Sequence, residues 1–295
     1  MKKFLPIIAL SATLASSLSA LEIRYGSGEF EMSGGIQNFN DVSVKCDIDV
    51  FGVHEQHYLI NDKVYLFGNL EIYSSDKVET FANYADGLMN SSLPSLPINL
   101  PFDFSTPNAF VGNFIPVPSS YEVEGVDFDI GVGVDVVQED NYYLGIGVVT
   151  GVSTPLMKME NYFQALNFFT DILDYTETEM ITYKAGLSLQ AGFSPNDAID
   201  IYTTGIYAYQ TGEITNSIVD SDMDADGSYT SFEVGLRYTP SSMPNFYLSA
   251  GYKYKDWEVD SMKANIMGFE TPDLMDTFDI ELSSNYSYIS VGYKF

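Results

Sequence analysis

The stretch that decides the fold reads Val126-Asp-Phe-Asp-Ile-Gly-Val-Gly-Val-Asp-Val136. Val126, Phe128, Ile130, Val132, Val134 and Val136 take the even positions, and Asp127, Asp129, Gly131, Gly133 and Asp135 the odd ones. Successive side chains of an extended chain point to opposite faces. One face of this segment is continuously apolar, and the other is acidic or has no side chain. The period is two, which is that of a strand and not of a helix.

The pattern recurs outward in both directions. Val64, Leu66, Leu70 and Ile72 alternate with Tyr65, Asn69, Glu71 and Tyr73, and Phe232, Val234, Leu236 and Tyr238 with Glu233 and Arg237. Phe246, Leu248, Ala250, Tyr252 and Tyr254 face away from Ser249, Gly251, Lys253 and Lys255. Segments 42–58, 142–152, 181–193, 198–211 and 284–295 follow, with Val42, Val44, Ile48 and Val50 set opposite Lys45, Asp47 and Asp49. Segment 21–34 changes phase around Gly26-Ser27-Gly28, where a β-bulge is expected. Connections alternate in length: short at 61–62, 139–141, 194–197 and 239–245, long at about 35–41, 75–123, 154–179, 212–228 and 259–283.

Residues 1–20 place Lys2 and Lys3 before an apolar run from Phe4 to Leu14 and small residues to Ala20. This is the layout of a secretory signal peptide, which leaves 21–295 as the mature chain. The 295 residues carry 13 Lys+Arg against 41 Asp+Glu, a formal charge of −28, so phosphate backbones are repelled and nucleic acid is excluded as a partner. With 22 Tyr and 20 Phe the chain is too aromatic for disorder. The single cysteine, Cys46, excludes an internal disulfide.

The chain ends Tyr286-Ser-Tyr-Ile289-Ser-Val291-Gly-Tyr293-Lys-Phe295. A terminal Phe with apolar or aromatic residues at steps of two before it resembles the C-terminal signal of bacterial outer-membrane β-barrel proteins. The resemblance implies that Ile289, Val291, Tyr293 and Phe295 face lipid and are read by the barrel-assembly machinery. It also implies short periplasmic turns, long outer loops, an outer-membrane location, and contact with membrane lipid and lipopolysaccharide. The expected fold is all-β: a closed antiparallel transmembrane barrel of about ten strands, with eight or twelve also compatible. A closed barrel pairs every backbone polar group between strands, so only alternate side chains need be apolar.

Strand parity then assigns the lumen. Asp47, Asp49, Glu71, Asp127, Asp129, Asp135, Asp200 and Glu233 are expected inside, with Lys45, Lys184, Arg237, Lys253 and Lys255. Acids gather on one wall and bases on the other. Either a water-filled lumen carries a transverse field, or the walls meet in a salt-bridged plug. Inward glycines at 131, 133, 145, 147, 151, 186, 192, 235 and 251 leave space and favour an open passage. The leading reading is a porin-like channel for small solutes or cations. The alternatives are a closed barrel with a surface or envelope-stabilising role, its acids bridging lipopolysaccharide through divalent cations, and a transporter of hydrophobic solutes using the apolar, Pro-rich segment 93–118. No enzymatic constellation is found.

Four local features complete the reading. Asp222, Asp224, Asp226, Gly227 and Glu233 match the spacing of a twelve-residue Ca²⁺ loop, although the flanks read as strands. His54 and His57, three apart on a strand, should point to opposite faces as structural histidines at the rim. Segment 156–174 has helical spacing and is expected to cap the mouth. Cys46 is assigned to the lipid face.

Overall fold

The computed structural model describes residues 20–36, 42–82, 117–161, 175–216, 222–266, 269–276 and 278–294. These form β1 (Ala20–Ile36), β2 (Val42–Leu59), β3 (Val64–Ser75), β4 (Val78–Ala82), β5 (Val117–Glu139), β6 (Tyr142–Ser153), β7 (Leu156–Asn161), β8 (Tyr175–Asn196), β9 (Ile199–Asn216), β10 (Asp222–Tyr238), β11 (Phe246–Ile266), β12 (Phe269–Glu270) and β13 (Phe278–Lys294). A 3-10 turn covers Leu274–Asp276.

Ten of these strands close a ring in the order β10-β9-β8-β6-β5-β3-β2-β1-β13-β11, and β10 pairs β11 to complete it. Every pairing is antiparallel. β4 continues β3 beyond a break at 76–77, and β7 continues β6 beyond 154–155, so each pair acts as one staggered wall. The first and last strands meet along their whole length, from Ala20 opposite Lys294 to Ile36 opposite Phe278.

Many strands are too long for a bilayer alone. β5 has 23 residues, β8 22 and β11 21, about twice the ~9–11 that a tilted strand needs to cross. The side chains show where lipid ends. Towards the short turns, Ile23, Phe51, Val134, Ile146, Leu187, Leu189, Phe232, Leu248 and Ile289 are exposed on the outer face. Towards the long connections that face becomes polar, with Glu29, Asp47, Asp49, Asp224 and Glu258 exposed, and the interior becomes apolar. Phe30, Cys46, Ile48, Val50, Ile214, Met223, Trp257, Met262 and Leu282 pack there as one core. The barrel is greasy outside and polar inside across the membrane, and the reverse beyond it.

This reversal corrects several expectations. Lys45, Asp47 and Asp49 face outward, and Cys46 faces the core. No bulge occurs at 26–28, because β1 keeps one register with both neighbours through that stretch. The change of phase in its sequence is the change of solvent. Leu156–Asn161 is a strand rather than the start of a helix. Segment 93–116, the remainder of 156–174, residues 1–19 of the expected signal peptide and Phe295 lie outside the described residues.

Candidate functional site

The lumen is crossed by ion pairs where parity aims opposite walls at each other. Lys253 and Lys255 project from β11, while Glu71 and Asp127 project from β3 and β5. β11 and β5 stand five places apart in a ring of ten, which is the full diameter. Lys253 Nζ donates to Glu71 Oε1 at 2.7 Å. Lys255 bridges Glu71 and Asp127, 2.5 Å from Asp127 Oδ2. Lys184, from β8, lies 2.8 Å from Asp129 Oδ1 and 3.7 Å from Asp127 Oδ1. Neutral donors complete this tier. Tyr286 and Ser153 donate to Glu71 and Asp127, and the Trp257 indole donates to Ser153.

A second tier lies nearer the short turns. Arg24 Nε donates to Glu22 Oε1 at 2.8 Å, and Arg24 Nη2 is 2.8 Å from Glu233 Oε1. Arg237 Nη2 donates to Glu22 Oε2 at 3.3 Å. Tyr288 donates to Glu233, and Ser290 to Glu22. The guanidiniums of Arg24 and Arg237 lie 4.2 and 4.3 Å from the ring centres of Tyr288 and Tyr247.

The charges balance tier by tier. Glu71, Asp127 and Asp129 face Lys184, Lys253 and Lys255; Glu22 and Glu233 face Arg24 and Arg237. A buried ion is costly unless it is paired. Here each has an opposite charge within 4 Å, and Lys184, whose ammonium makes no hydrogen bond, also stands 3.7 Å from the Tyr229 ring centre. The inward glycines are not empty space either. Tyr65, Phe67 and Tyr73 stand directly opposite Gly133, Gly131 and Gly125. Tyr143, Tyr202, Tyr247 and Tyr288 stand opposite Gly192, Gly235, Gly292 and Gly251. In each pair the ring lies where a Cβ on the glycine would be. Glycine admits an aromatic ring from the next strand, and the rings fill the lumen.

Sequence parity correctly placed Glu71, Asp127, Asp129, Asp135, Lys184, Glu233, Arg237, Lys253 and Lys255 inside. It missed Glu22 and Arg24, although both alternate with Ile23 and Tyr25 and were legible by the same rule. The histidine expectation is corrected. β2 is irregular between Glu55 and Tyr58, and this extra length turns both rings inward. His57 Nε2 is 3.0 Å from Asp135 Oδ1, its ring held between Tyr65 and Tyr143, while His54 lies deeper.

The Ca²⁺ loop is also corrected. All of 222–233 lies on β10. Asp222 and Asp224 face out, and Glu233 faces in on Arg24. The period of two separates carboxylates that a loop would gather. Among the described residues, no group of three or more His, Cys, Asp or Glu side chains could hold a metal.

Outside, carboxylates oppose each other across strands above the apolar band: Glu29 and Asp47, Glu213 and Asp224, Glu258 and Glu281. Tyr25 and Tyr209 mark the boundary, donating to Asp49 and Asp226 at 2.8 and 2.7 Å. Lys45 is 3.0 Å from Glu31. The Ser43 hydroxyl and the Lys45 ammonium hold the Glu31 carboxyl below the usual carboxylate range. The result is an acidic collar around the barrel at the lipid surface.

No family model matches the chain, and no curated protein matches it. Solved structures do. The outer-membrane protease OmpT of Escherichia coli aligns with a TM-score of 0.53 at 8% identity, over 95% of this chain and 98% of its own. The transport unit of the autotransporter AIDA-I from Escherichia coli gives 0.44 at 10% identity, over 98% and 97%. A FadL homologue of Pseudomonas aeruginosa gives 0.34 at 10%, over 94% and 90%. At these identities the likeness speaks to fold: the chain has the fold of a bacterial outer-membrane β-barrel.

Proposed function

We propose that this outer-membrane β-barrel works as a closed barrel, a surface and envelope-stabilising element, and not as a porin. The observation that carries this is the lumen: two charge-balanced tiers of ion pairs from opposite walls, packed among aromatic rings. A conducting pore keeps its charged walls apart and wet. Here they touch, and each ion's charge is met by its neighbours. The passage for small solutes or cations expected from the inward side chains has its acids paired where a passage would have to run. In planar bilayers the purified protein is expected to be electrically silent while protease protection confirms insertion. Discrete conductance steps from the unmodified chain would overturn the reading.

The working surface is then the collar. Like charges directly opposite on neighbouring strands repel. A divalent cation between them relieves that repulsion. Ca²⁺ takes six to eight oxygens, so a carboxylate pair leaves positions for phosphate oxygens of the surrounding lipid. This supports bridging to the phosphates of lipopolysaccharide. The protein is expected to co-migrate with lipopolysaccharide in native gels with Mg²⁺ or Ca²⁺ present and to separate in EDTA. Replacing Glu29, Asp224 and Glu281 by Gln should remove the cation dependence. Unchanged co-migration in EDTA would count against cation bridging and leave the closed barrel standing.

A further inference from the structure

Between the two tiers lies a small internal cavity of about 20 Å³. Its lining includes His54 from β2, Asn69 from β3, Gln190 from β8 and Thr204 from β9, with Asp129, Glu233 and Lys253 as its charged neighbours, each already paired with Lys184, Arg24 and Glu71 respectively. The first four are each more than nine-tenths buried. Both ring nitrogens of His54, both amide atoms of Asn69 and of Gln190, and the Thr204 hydroxyl have no hydrogen-bond partner in the protein. Buried polar groups in folded proteins are paired, with protein or with ordered water. Seven unpaired atoms around one cavity therefore mark a site.

The geometry points to water as the occupant, as a cluster of one or two molecules that forms a wet layer inside the plug. Size sets the first limit. A water needs roughly 10–15 Å³ of such space, so the cavity holds one or two. Charge sets the second. The carboxylates and cations on either side already balance, so an added ion would enter a neutral, buried environment without a counter-charge. Hydrogen-bond chemistry sets the third. The unpaired set mixes donors and acceptors, as two amides, a hydroxyl and an imidazole must. Water both donates and accepts, whereas a cation would leave the N–H groups unmet and an anion the oxygens. The inference concerns the plug and holds whether or not the collar binds lipid.

The test turns on a sign. Thr204→Val keeps the shape and removes one hydroxyl. If water occupies the cavity, that hydroxyl is a paired group, and its loss lowers the folded-to-unfolded ratio by about tenfold. If the cavity is dry, the same change removes an unsatisfied group and raises the ratio. Denaturant midpoints of the refolded barrel in lipid give the answer, and Asn69→Leu should move in the same direction. A second measurement needs no variant. Solid-state NMR of the intact protein in bilayers should show magnetisation transfer from water to the side-chain amides of Asn69 and Gln190. Absence of transfer, with Thr204→Val stabilising, would overturn the proposal. A midpoint that differs between NaCl, KCl and choline chloride at equal ionic strength, and still differs when Glu29, Asp224 and Glu281 are changed to Gln, would assign the site to an ion and overturn it equally.

Discussion

At the scale of single residues, glycine carries an unexpected part of the design. An inward glycine in a barrel strand reads naturally as room for solute. In this lumen it is a seat for the aromatic ring on the next strand, as with Gly133 beneath Tyr65. The distinction is testable because not every glycine is a seat. A Cβ on Gly133 would meet the Tyr65 ring, whereas a Cβ on Gly205, on the outer face of β9, would meet nothing within 4 Å. Gly133→Ala is expected to cost about 1–3 kcal/mol through overpacking. Gly205→Ala should be neutral or slightly stabilising, since alanine loses less backbone entropy in a strand. Urea unfolding of both variants in the same lipid checks the contrast. Equal costs would show that the rings are not positioned by the glycines.

At the scale of the element, each strand has one parity but two solvents. In β2, even positions point inward throughout, from Cys46 to His54. They are apolar as far as Val50 and polar at His54, while odd positions change from Asp49 to Phe51. The neighbouring apolar pair Val50-Phe51 marks the crossing, and the polar pair Lys255-Asp256 marks it in β11. Substitutions should therefore change in cost along one face. Leu187→Arg, on the lipid-facing side of β8, is expected to cost about 2–4 kcal/mol if it lies near the bilayer midplane. Asp47→Lys, on the outer face of β2, should cost nothing and relieve the opposition with Glu29. Comparable losses at the two sites would contradict a change of solvent between them. This is also where sequence reading reached its limit. Alternation shows that a segment is a strand, and the ten-strand ring followed from counting such segments and their turns. It does not show which face is inside, because both solvation schemes share the period. The lumen residues between Glu71 and Lys255 were legible where lipid made the outer face greasy. Lys45, Asp47, Asp49 and Cys46 were misplaced where it did not. The histidines were misplaced because a bulge leaves no mark in residue type.

At the scale of the whole molecule, the plug has a structure that experiment can take apart. Each tier is neutral by itself, so each can be removed without leaving an unpaired buried charge, the situation that costs about 3–5 kcal/mol. The outer tier, the one farther from the short turns, loses its bridge in a variant with Glu71, Asp127, Lys253 and Lys255 all changed to Ala, which removes two acids and two bases. The inner tier is removed by the same change at Glu22, Arg24, Glu233 and Arg237. Either tier alone still spans the lumen, because its partners come from different walls of the ring. Each quadruple variant is therefore expected to stay silent in planar bilayers, and only the combination should conduct. Removing Glu71 alone should behave differently: it leaves Lys253 and Lys255 short of a carboxylate and should destabilise the barrel rather than open it. If one quadruple variant already conducts, the other tier is not a barrier, and the lumen is sealed at a single level. If the combined variant inserts and stays silent, the aromatic rings alone close the barrel and the ion pairs only hold its walls together.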